Sequence, residues 1–268
     1  MTDLLRDDCW PLLLRECAEA GLDVAQITKT DATRDALEQR WYAALDSGAP
    51  DYGVYGDAGY IAETFACWKQ YSRRYLRAIS APQVRALLGD VRSVVDLGCG
   101  IGLTSAALAQ IFQCAVYGVD MSDTAQAAVA QRFATSFGFQ LARLDQIGDA
   151  DVVFASEFFE HIHTPVAYLR HVLDALHPTT LIIANSFNTR AIGHFTAYEI
   201  DGAHVDAARM SRQFNAQLRR YSYGKVAAAK FWNDRPAVWR LHVRSGTVAV
   251  VSRSSARART IHGAAGDP

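Results

Sequence analysis

A glycine-rich segment follows a strand-like run and has the composition of a ligand-binding loop. Residues 94–102 read VVDLGCGIG, so Asp96 is followed by glycines at positions 98, 100 and 102. Glycine allows positive φ angles and lets the backbone approach a ligand closely. Loops that bind phosphates, dinucleotides or sulfonium compounds all begin in this way, so the neighbouring residues must distinguish them.

The residues around the glycines disfavour a phosphate ligand. A P-loop needs Lys-Ser or Lys-Thr after its last glycine, whereas Leu103-Thr104 follows here. The spacing is G-x-G-x-G and not the dinucleotide pattern G-x-G-x-x-G. Asp96 would repel a pyrophosphate but would suit a ligand that carries an ammonium group and a sulfonium cation. Asp120 ends the next predicted strand, where an acid can accept hydrogen bonds from ribose hydroxyls.

A second polar cluster follows the fourth apolar strand, in Glu157-Phe158-Phe159-Glu160-His161. The carboxyl ends of parallel strands form the mouth of an open α/β sheet, so this segment should lie beside the ligand. Its two carboxylates and its imidazole converge if the segment forms a helical turn. His161 could then act as a general base. Alternatively, the three side chains could bind a divalent cation that lowers the pKa of a bound nucleophile.

The elements that must position these residues follow a regular order. Residues 91–204 alternate apolar strands with helices of about a dozen residues, which predicts an α/β fold with a mostly parallel sheet and helices on both faces. Residues 1–90 predict a helical N-terminal cap or lid. Residues 205–255 predict a basic C-terminal extension that completes the sheet with strands, and residues 256–268 predict a flexible tail.

Composition and charge narrow the class of protein. The chain has 268 residues, a net charge of −1 and 50% hydrophobic residues, which is ordinary for a globular protein. It contains no apolar run of the roughly 20 residues that a membrane helix needs, and the acids near its start are atypical of a signal peptide. Five cysteines without a CxxC pair predict free thiols in a reducing compartment. We therefore expect a cytoplasmic protein that does not interact with membranes.

The sequence D-L-G-C-G-I-G, followed by G-V-D at 118–120, resembles the cofactor core of the class I methyltransferases that use S-adenosylmethionine (SAM). The similarity extends over roughly residues 91–187. It implies a Rossmann-like fold with SAM as the cofactor. In this family the glycine loop approaches the cofactor, Asp96 lies near its methionyl end, Asp120 holds the ribose, Met121 packs on the adenine, and Asp145 is the nearest candidate for the adenine amine. The implied cofactor residues are Asp96, Gly98, Cys99, Gly100, Gly102, Asp120, Met121, Asp145 and Glu157.

The E-x-x-E-H segment is similar to that of ubiquinone-pathway O-methyltransferases and small-RNA terminal 2′-O-methyltransferases, where it binds a metal. This resemblance implies Mg²⁺ or Mn²⁺ at Glu157, Glu160 and His161, with His194 as the fourth candidate ligand by its order in the chain. Many relatives carry the same Glu-His pair without a metal, so the metal remains one of two alternatives.

Three further residues are candidates for contact with a methyl acceptor. Asn185 ends the fifth predicted strand and would line the acceptor pocket, although a simple turn at the end of a strand would also place a polar residue there. His194 follows on the same side. Tyr55 lies in the aromatic segment DYGVYGDAGY, which would cover the ligand as a lid or belong to the core.

The residues and the resemblance together predict methyl transfer from SAM to an oxygen or nitrogen nucleophile of a small molecule or a nucleic-acid component. One alternative is a different use of SAM, such as aminopropyl transfer or cyclisation of its methionyl chain. The other is a nucleic-acid-binding accessory protein, because residues 205–268 contain twelve Lys or Arg against three Asp. A solvated surface explains that charge equally well. The sequence does not identify the acceptor or the oligomeric state.

Overall fold

The computed structural model describes residues 2–28, 30–227 and 235–242. Its helices are α1 (Trp10–Glu19), α2 (Val24–Ile27), α3 (Thr30–Asp46), α4 (Tyr60–Cys67), α5 (Arg73–Ile79), α6 (Pro82–Leu88), α7 (Leu103–Phe112), α8 (Ala125–Phe137), α9 (Pro165–Leu176) and α10 (Ala207–Arg220). Its strands are β1 (Ser93–Leu97), β2 (Ala115–Val119), β3 (Gln140–Leu141), β4 (Val152–Ser156), β5 (Thr180–Ala184), β6 (Tyr198–Ile200), β7 (Ala203–Val205), β8 (Tyr223–Lys225) and β9 (Ala237–Leu241).

In the described residues, one sheet has the strand order β3-β2-β1-β4-β5-β9-β8. The first five of these strands are parallel, with Val94 paired to Val116 on one side and to Val152 on the other. β9 pairs antiparallel with β5, and β8 pairs antiparallel with β9. The predicted α/β fold with a mostly parallel sheet is therefore confirmed. The order reverses direction at β1 and β4, and ligands of such sheets bind at this switch point.

Apolar side chains alternate between the two faces of the sheet because successive residues of a strand point in opposite directions. Val94 and Phe154 pack into one core with α1 and the α7–α8 layer, whereas Val95 and Ala155 pack into the other with α3, α9 and α10. Full burial of a side chain such as Phe154 contributes about 1.5 to 3 kcal/mol to stability. Helices therefore cover both faces of the sheet, as the sequence predicts.

The N-terminal helices pack directly against the sheet. α4 and α5 are joined by a π-helical turn, Trp68–Ser72, so they form one continuous run beside the carboxyl ends of the strands. α1 is tied to α8 through Glu16, which is buried and accepts hydrogen bonds from Arg15 (2.8 Å) and Arg132 (3.0 Å). The helical character predicted for residues 1–90 is thus observed, while the predicted domain boundaries remain a prediction.

The C-terminal region is described only in part. β8 and β9 lie within residues 205–255 and complete the sheet. Residues 243–255 and the predicted flexible tail, 256–268, lie outside the described residues. Within the described ranges, no helix combines the length and the apolar content that crossing a bilayer requires.

The buried Glu16 gives a test of how firmly the N-terminal helices are attached. Arg132→Ala removes one of the two cations that pair with this carboxylate, and it also removes a contact with Glu19. We expect a loss of about 1 to 3 kcal/mol in the free energy of unfolding, because a buried charge loses part of its compensation. Urea unfolding followed by circular dichroism measures it.

The matched control is Arg143→Ala, which breaks an exposed ion pair with Asp145. An exposed pair contributes about 0 to 1 kcal/mol. Equal effects of the two substitutions would contradict the structural importance of Glu16.

Candidate functional site

The glycine loop is tied to the end of β2. β1 ends at Leu97, and the backbone amides of Gly98 and Cys99 both donate to the carbonyl oxygen of Val119, at 2.9 and 3.3 Å. Gly98 has φ +73°, and a Cβ atom there would lie 2.5 Å from the ring of Phe158. Only glycine meets both demands, so the chain turns sharply into α7 and leaves its backbone open towards the cleft.

Asp120 fixes the other side of this loop. Its two carboxyl oxygens accept hydrogen bonds from the backbone amides of Gly100 (2.6 Å) and Met121 (2.7 Å). Burial among protein atoms raises the pKa of Asp120, and the two amides oppose that shift. The side chain still presents surface to the cleft. Beside it, Met121 is 46% exposed and offers an apolar surface.

Asp96 differs from the charged residue that the sequence suggests. It lines the cleft but is only 1% exposed, and it accepts a hydrogen bond of 2.6 Å from the hydroxyl of Ser105 in α7. Burial, with a smaller contribution from the charge of Asp120, raises its pKa to about 8. Asp96 is therefore largely protonated at neutral pH in the ligand-free protein, and a cation in the cleft would favour its ionised form.

Two adjoining cavities form one long cleft along the carboxyl ends of the strands. The first has a volume of about 410 Å³ and the second about 640 Å³, within the range of small-molecule sites. The first extends from the glycine loop past β4 to the segment after β5, and the second lies beyond β2 and β3. Both are lined by Cys99, Gly100, Asp120 and Met121.

At the β4 end of the cleft, Ser186 joins two glutamates. The Ser186 hydroxyl donates to Glu157 (2.5 Å), and its backbone amide donates to Glu160 (2.7 Å). Arg235, just before β9, donates to the Ser186 hydroxyl at 2.6 Å. Glu160 is fully buried, and burial together with the charge of Glu157 raises its pKa well above the ordinary value. Glu160 is thus a neutral acid inside the protein, and Glu157 is the one that lines the cleft.

Two histidines and a tyrosine meet in the same cavity. Nδ1 of His161 lies 3.0 Å from the Tyr55 hydroxyl, and its ring centroid lies 4.7 Å from that of His194. Nδ1 of His194 lies 2.7 Å from the carbonyl oxygen of Thr189. Burial lowers the pKa of both histidines; His194 lowers that of His161 further, whereas the Thr189 carbonyl and the charge of Glu157 oppose the shift at His194. Both imidazoles are therefore neutral at neutral pH and face the same cavity.

A comparison with known protein families assigns the chain. A family model for a methyltransferase domain matches residues 67–233, which is more than half of the chain and includes the glycine loop, Asp120 and the segments after β4 and β5. The chain belongs to this methyltransferase-domain family. Together with the strand order, this membership confirms the predicted Rossmann-like methyltransferase fold of class I.

Individual relatives are more distant. The ubiquinone biosynthesis O-methyltransferase of Neisseria meningitidis serogroup C is 26% identical over 106 residues, which cover 36% of this chain and 44% of that protein. The chain thus spans less than half the length of this curated relative. An O-methyltransferase family protein from Burkholderia thailandensis is 14% identical with a TM-score of 0.47, covering 68% of this chain and 58% of that chain. SAM-bound CalS10 from Micromonospora echinaspora, an amino pentose methyltransferase, is 13% identical with a TM-score of 0.48, covering 67% and 95%.

The geometry of the cleft gives no support to the predicted metal site. In residues 2–28, 30–227 and 235–242, no three His, Cys, Asp or Glu side chains are arranged to hold an ion. Glu160 points inward to the amide of Ser186, His161 bonds to Tyr55, and Nδ1 of His194 bonds to a backbone carbonyl. The four candidate ligands are neighbours, but their donor atoms are turned to different partners.

Four of the predicted site residues do not line either cavity of the cleft. Asp145 forms two hydrogen bonds of 3.0 Å with Arg143, which hold the pKa of its carboxyl below the ordinary value. The Oδ1 atom of Asn185 is buried and has no partner among the described residues. Glu160 is buried behind Ser186. Gly102 caps the start of α7 behind the cleft. The remaining predicted residues all line the cleft: Asp96, Gly98, Cys99, Gly100, Asp120, Met121, Tyr55, Glu157, His161 and His194.

Sequence reasoning missed some of the residues that shape the cleft. Ser186 links both glutamates, and Thr64 donates to Gln126 (2.8 Å) behind the glycine loop. Gln126 lies inside a helix, where its residue type does not signal a site. Trp68, by contrast, follows the aromatic segment that the sequence suggests as a lid, and it lines the cavity with its ring nitrogen buried and without a partner among the described residues. Ser186 adjoins Asn185, so its position after β5 was the one available signal.

The pKa of Asp96 gives a test of its burial. The unfolded chain loses this proton near pH 4 and the folded domain near pH 8, so the free energy of unfolding should fall as the pH rises between these values. Asp96→Asn removes the titration. We expect the stability of the variant, relative to wild type, to improve by about 1.4 kcal/mol per pH unit from pH 5 to pH 8.

Urea unfolding at several pH values measures this change. Asp46→Asn, at an exposed position at the end of α3, is the control and should show no such trend. A difference between wild type and Asp96→Asn that stays constant over this interval would contradict the protonated, buried Asp96.

Proposed function

We propose that the chain transfers a methyl group from SAM to an oxygen or nitrogen nucleophile of a small molecule or a nucleic-acid component. The observation that carries this proposal is the continuous cleft. One end presents the glycine loop and Asp120, and the other presents Tyr55, His161 and His194. A cofactor half and an acceptor half thus share one space, as direct transfer between two bound molecules requires.

The residues of the first half fit a nucleoside with a cationic side chain. The Asp120 carboxylate is held in place by two backbone amides and has the geometry to accept hydrogen bonds from ribose hydroxyls. Met121 supplies apolar surface for a base. Gly98 lets the loop approach the ring of Phe158, which lines the same cavity, more closely than any side chain would allow. Asp96 and Asp120 together place two carboxyl groups in a confined space, which favours a positively charged ligand over a pyrophosphate.

When bound, SAM supplies a methyl group on a positively charged sulfur atom. The protein would place the acceptor in line with this group and exclude water. Tyr52, Tyr55 and Tyr60 line the cavity from the N-terminal side, and Tyr55 packs edge-on to Tyr60, at 5.1 Å between ring centroids. These aromatic rings reduce competition from solvent during transfer.

The residues of the second half would remove a proton from the acceptor. His161 is neutral because burial lowers its pKa, so it can take up a proton at neutral pH. Its hydrogen bond to Tyr55 makes these two residues one acid–base unit. Glu157 faces the same cavity and adds a carboxyl group held by Ser186. Glu160 supports this arrangement from behind and does not line the cleft.

Two finer predictions stay with this proposal. A divalent cation remains a hypothesis, because the four candidate ligands do not converge. A cytoplasmic location also remains a prediction. The choice of acceptor is left to experiment.

Product analysis tests the reaction class. The protein is incubated with SAM and with panels of phenols, amines and short RNAs, and the nucleoside products are separated by liquid chromatography with mass detection. The proposal expects S-adenosylhomocysteine (SAH) and a methylated acceptor. Methylthioadenosine in its place would show aminopropyl transfer or cyclisation. Salt-sensitive RNA binding without any nucleoside product would favour an accessory protein.

Asp120 provides a prediction for the cofactor half. Asp120→Ala removes the proposed ribose contact and frees the amides of Gly100 and Met121. We expect the Kd for SAH to rise about 10- to 100-fold, because charged hydrogen bonds of this kind contribute about 1.5 to 3 kcal/mol. Isothermal titration calorimetry measures the change.

The control for Asp120 is Asp149→Ala, which removes an exposed carboxylate that pairs with His177. Both residues come just before a strand, so they lie at the amino ends of the strands, away from the cleft. Its Kd should equal that of wild type. An unchanged affinity in Asp120→Ala would overturn the ribose assignment while leaving the fold intact.

A further inference from the structure

We propose that Tyr55, and not His161, is the group that takes the proton from the methyl acceptor, and that Tyr55 passes its own proton to Nδ1 of His161. This inference rests on the proposed function and names a catalytic residue within the same site. It gives the N-terminal segment a chemical role, because Tyr55 lies 106 positions before His161 in the chain.

The direction of the Tyr55–His161 hydrogen bond follows from the chemistry of the two groups. A phenol O–H is a stronger donor than an imidazole N–H, and an imidazole nitrogen is a stronger acceptor than a phenol oxygen. Tyr55 therefore donates to Nδ1 across the 3.0 Å that separate them. Burial raises the pKa of Tyr55, so its proton remains in place at neutral pH.

This direction fixes the proton of the neutral imidazole on Nε2. The lone pair of Nδ1 is then engaged with Tyr55, and Nε2 has no lone pair to offer, so His161 cannot accept a proton from a ligand directly. Tyr55 lines the same cavity, and its hydroxyl oxygen keeps its lone pairs. Tyr55 is consequently the acceptor-facing member of the pair.

His194 is a positioning residue for this arrangement. Its Nδ1 lies 2.7 Å from the Thr189 carbonyl, which can only accept, so its own proton is on Nδ1 and its Nε2 is unprotonated. The ring lies 4.7 Å from that of His161. The unprotonated Nε2 of His194 is compatible with a neighbouring His161 that carries its proton on its own Nε2. The backbone of His194 is held in turn by the Trp41 ring nitrogen, which donates to its carbonyl oxygen at 2.8 Å.

Gly193 encloses the hydrogen bond. It has φ +84°, and a Cβ atom at this position would overlap both the Tyr55 hydroxyl and Nδ1 of His161. The backbone after β5 therefore packs directly on the two atoms that share the proton. Any side chain at position 193 would push them apart, so the sequence Gly193-His194 serves the Tyr55–His161 pair from two sides.

The proton transfer balances in atoms and charge. The N–H or O–H bond of the acceptor breaks, and its electron pair forms the bond to the methyl carbon while the sulfur–methyl electron pair stays on sulfur. The released proton bonds to the Tyr55 oxygen as the Tyr55 proton bonds to Nδ1 of His161. Tyr55 ends as a phenol and His161 as an imidazolium, so the single positive charge moves from sulfur to His161 and no oxidant or reductant is needed.

Nitrogen-15 NMR of the full chain with labelled histidine tests the tautomer, which does not require the acceptor to be known. SAH is added at saturating concentration at pH 7, and His161→Gln assigns the signal of His161. We expect an Nε2–H imidazole with an unprotonated, hydrogen-bonded Nδ1. An Nδ1–H tautomer would overturn the proposal, because Tyr55 would then accept from His161 and could not pass a proton to it.

Two variants connect the tautomer with the contacts. Tyr55→Phe keeps the ring and removes the hydroxyl, so the Nδ1 signal should lose its hydrogen-bond shift while the Kd for SAH stays within about twofold. Tyr221→Phe, which loses a surface hydrogen bond to Asp174, is the control and should leave the spectrum unchanged. With catechol as the probe acceptor, any transfer rate should fall roughly 100-fold in Tyr55→Phe, with little change in KM.

The glycines offer a second matched pair. Gly193→Ala should remove the Tyr55–His161 signature. Gly202→Ala should not, since Gly202 has nearly the same φ (+82°) but no atom of the described part of the chain lies within 4 Å of an added Cβ. An unchanged signature in Gly193→Ala would contradict the enclosure of this hydrogen bond. Calorimetry on the same samples separates the two proposals. Absence of SAH binding in wild type defeats the proposed function, while SAH binding with the Nδ1–H tautomer defeats only the Tyr55 relay.

Discussion

The turn from β1 into α7 has to fit between the end of β2 and the ring of Phe158, and the rest of the cleft depends on that fit. The amides of Gly98 and Cys99 share the carbonyl of Val119, and the amide of Gly100 is held by Asp120. No side chain can stand at Gly98 without displacing Phe158. One close approach therefore places the open backbone, the Asp120 carboxylate and the segment after β4 around the same space.

The second half of the cleft depends on residues far away in the chain. Trp41 and Tyr42, both in α3, hold the backbone after β5 through His194 and Ala191, at 2.8 and 3.0 Å. Tyr55 adds its hydrogen bond to His161. The N-terminal helices thus form one wall of the site. Burial keeps the two imidazoles beside this wall neutral, so they can receive a positive charge as the acceptor loses its proton.

The sequence predicted those features that follow from local rules. The order of strands and helices and the glycine turn follow from periodicity. The placement of Asp120 follows from the rule that ligands of open α/β sheets bind at the carboxyl ends of the strands. The sequence also predicted that Glu157, Glu160 and His161 converge, and the structure does not show this. Glu157 adopts φ +51°, and the next residues form a 3₁₀ turn that directs Glu160 into the protein. The partners of His161 and Asp96 come from distant segments and from burial, which spacing within one motif does not reveal.

The central claim is that two carboxyl groups at the glycine loop select a cationic sulfur nucleoside and not a phosphate ligand. Calorimetric titration of the wild-type chain with SAM, SAH, NAD and ATP at pH 7 and moderate salt tests it most directly. The account predicts clear binding of SAM and SAH, with protons released when the cationic SAM lowers the pKa of Asp96, and no binding of NAD or ATP. Binding of NAD or ATP without binding of either sulfur nucleoside would contradict it.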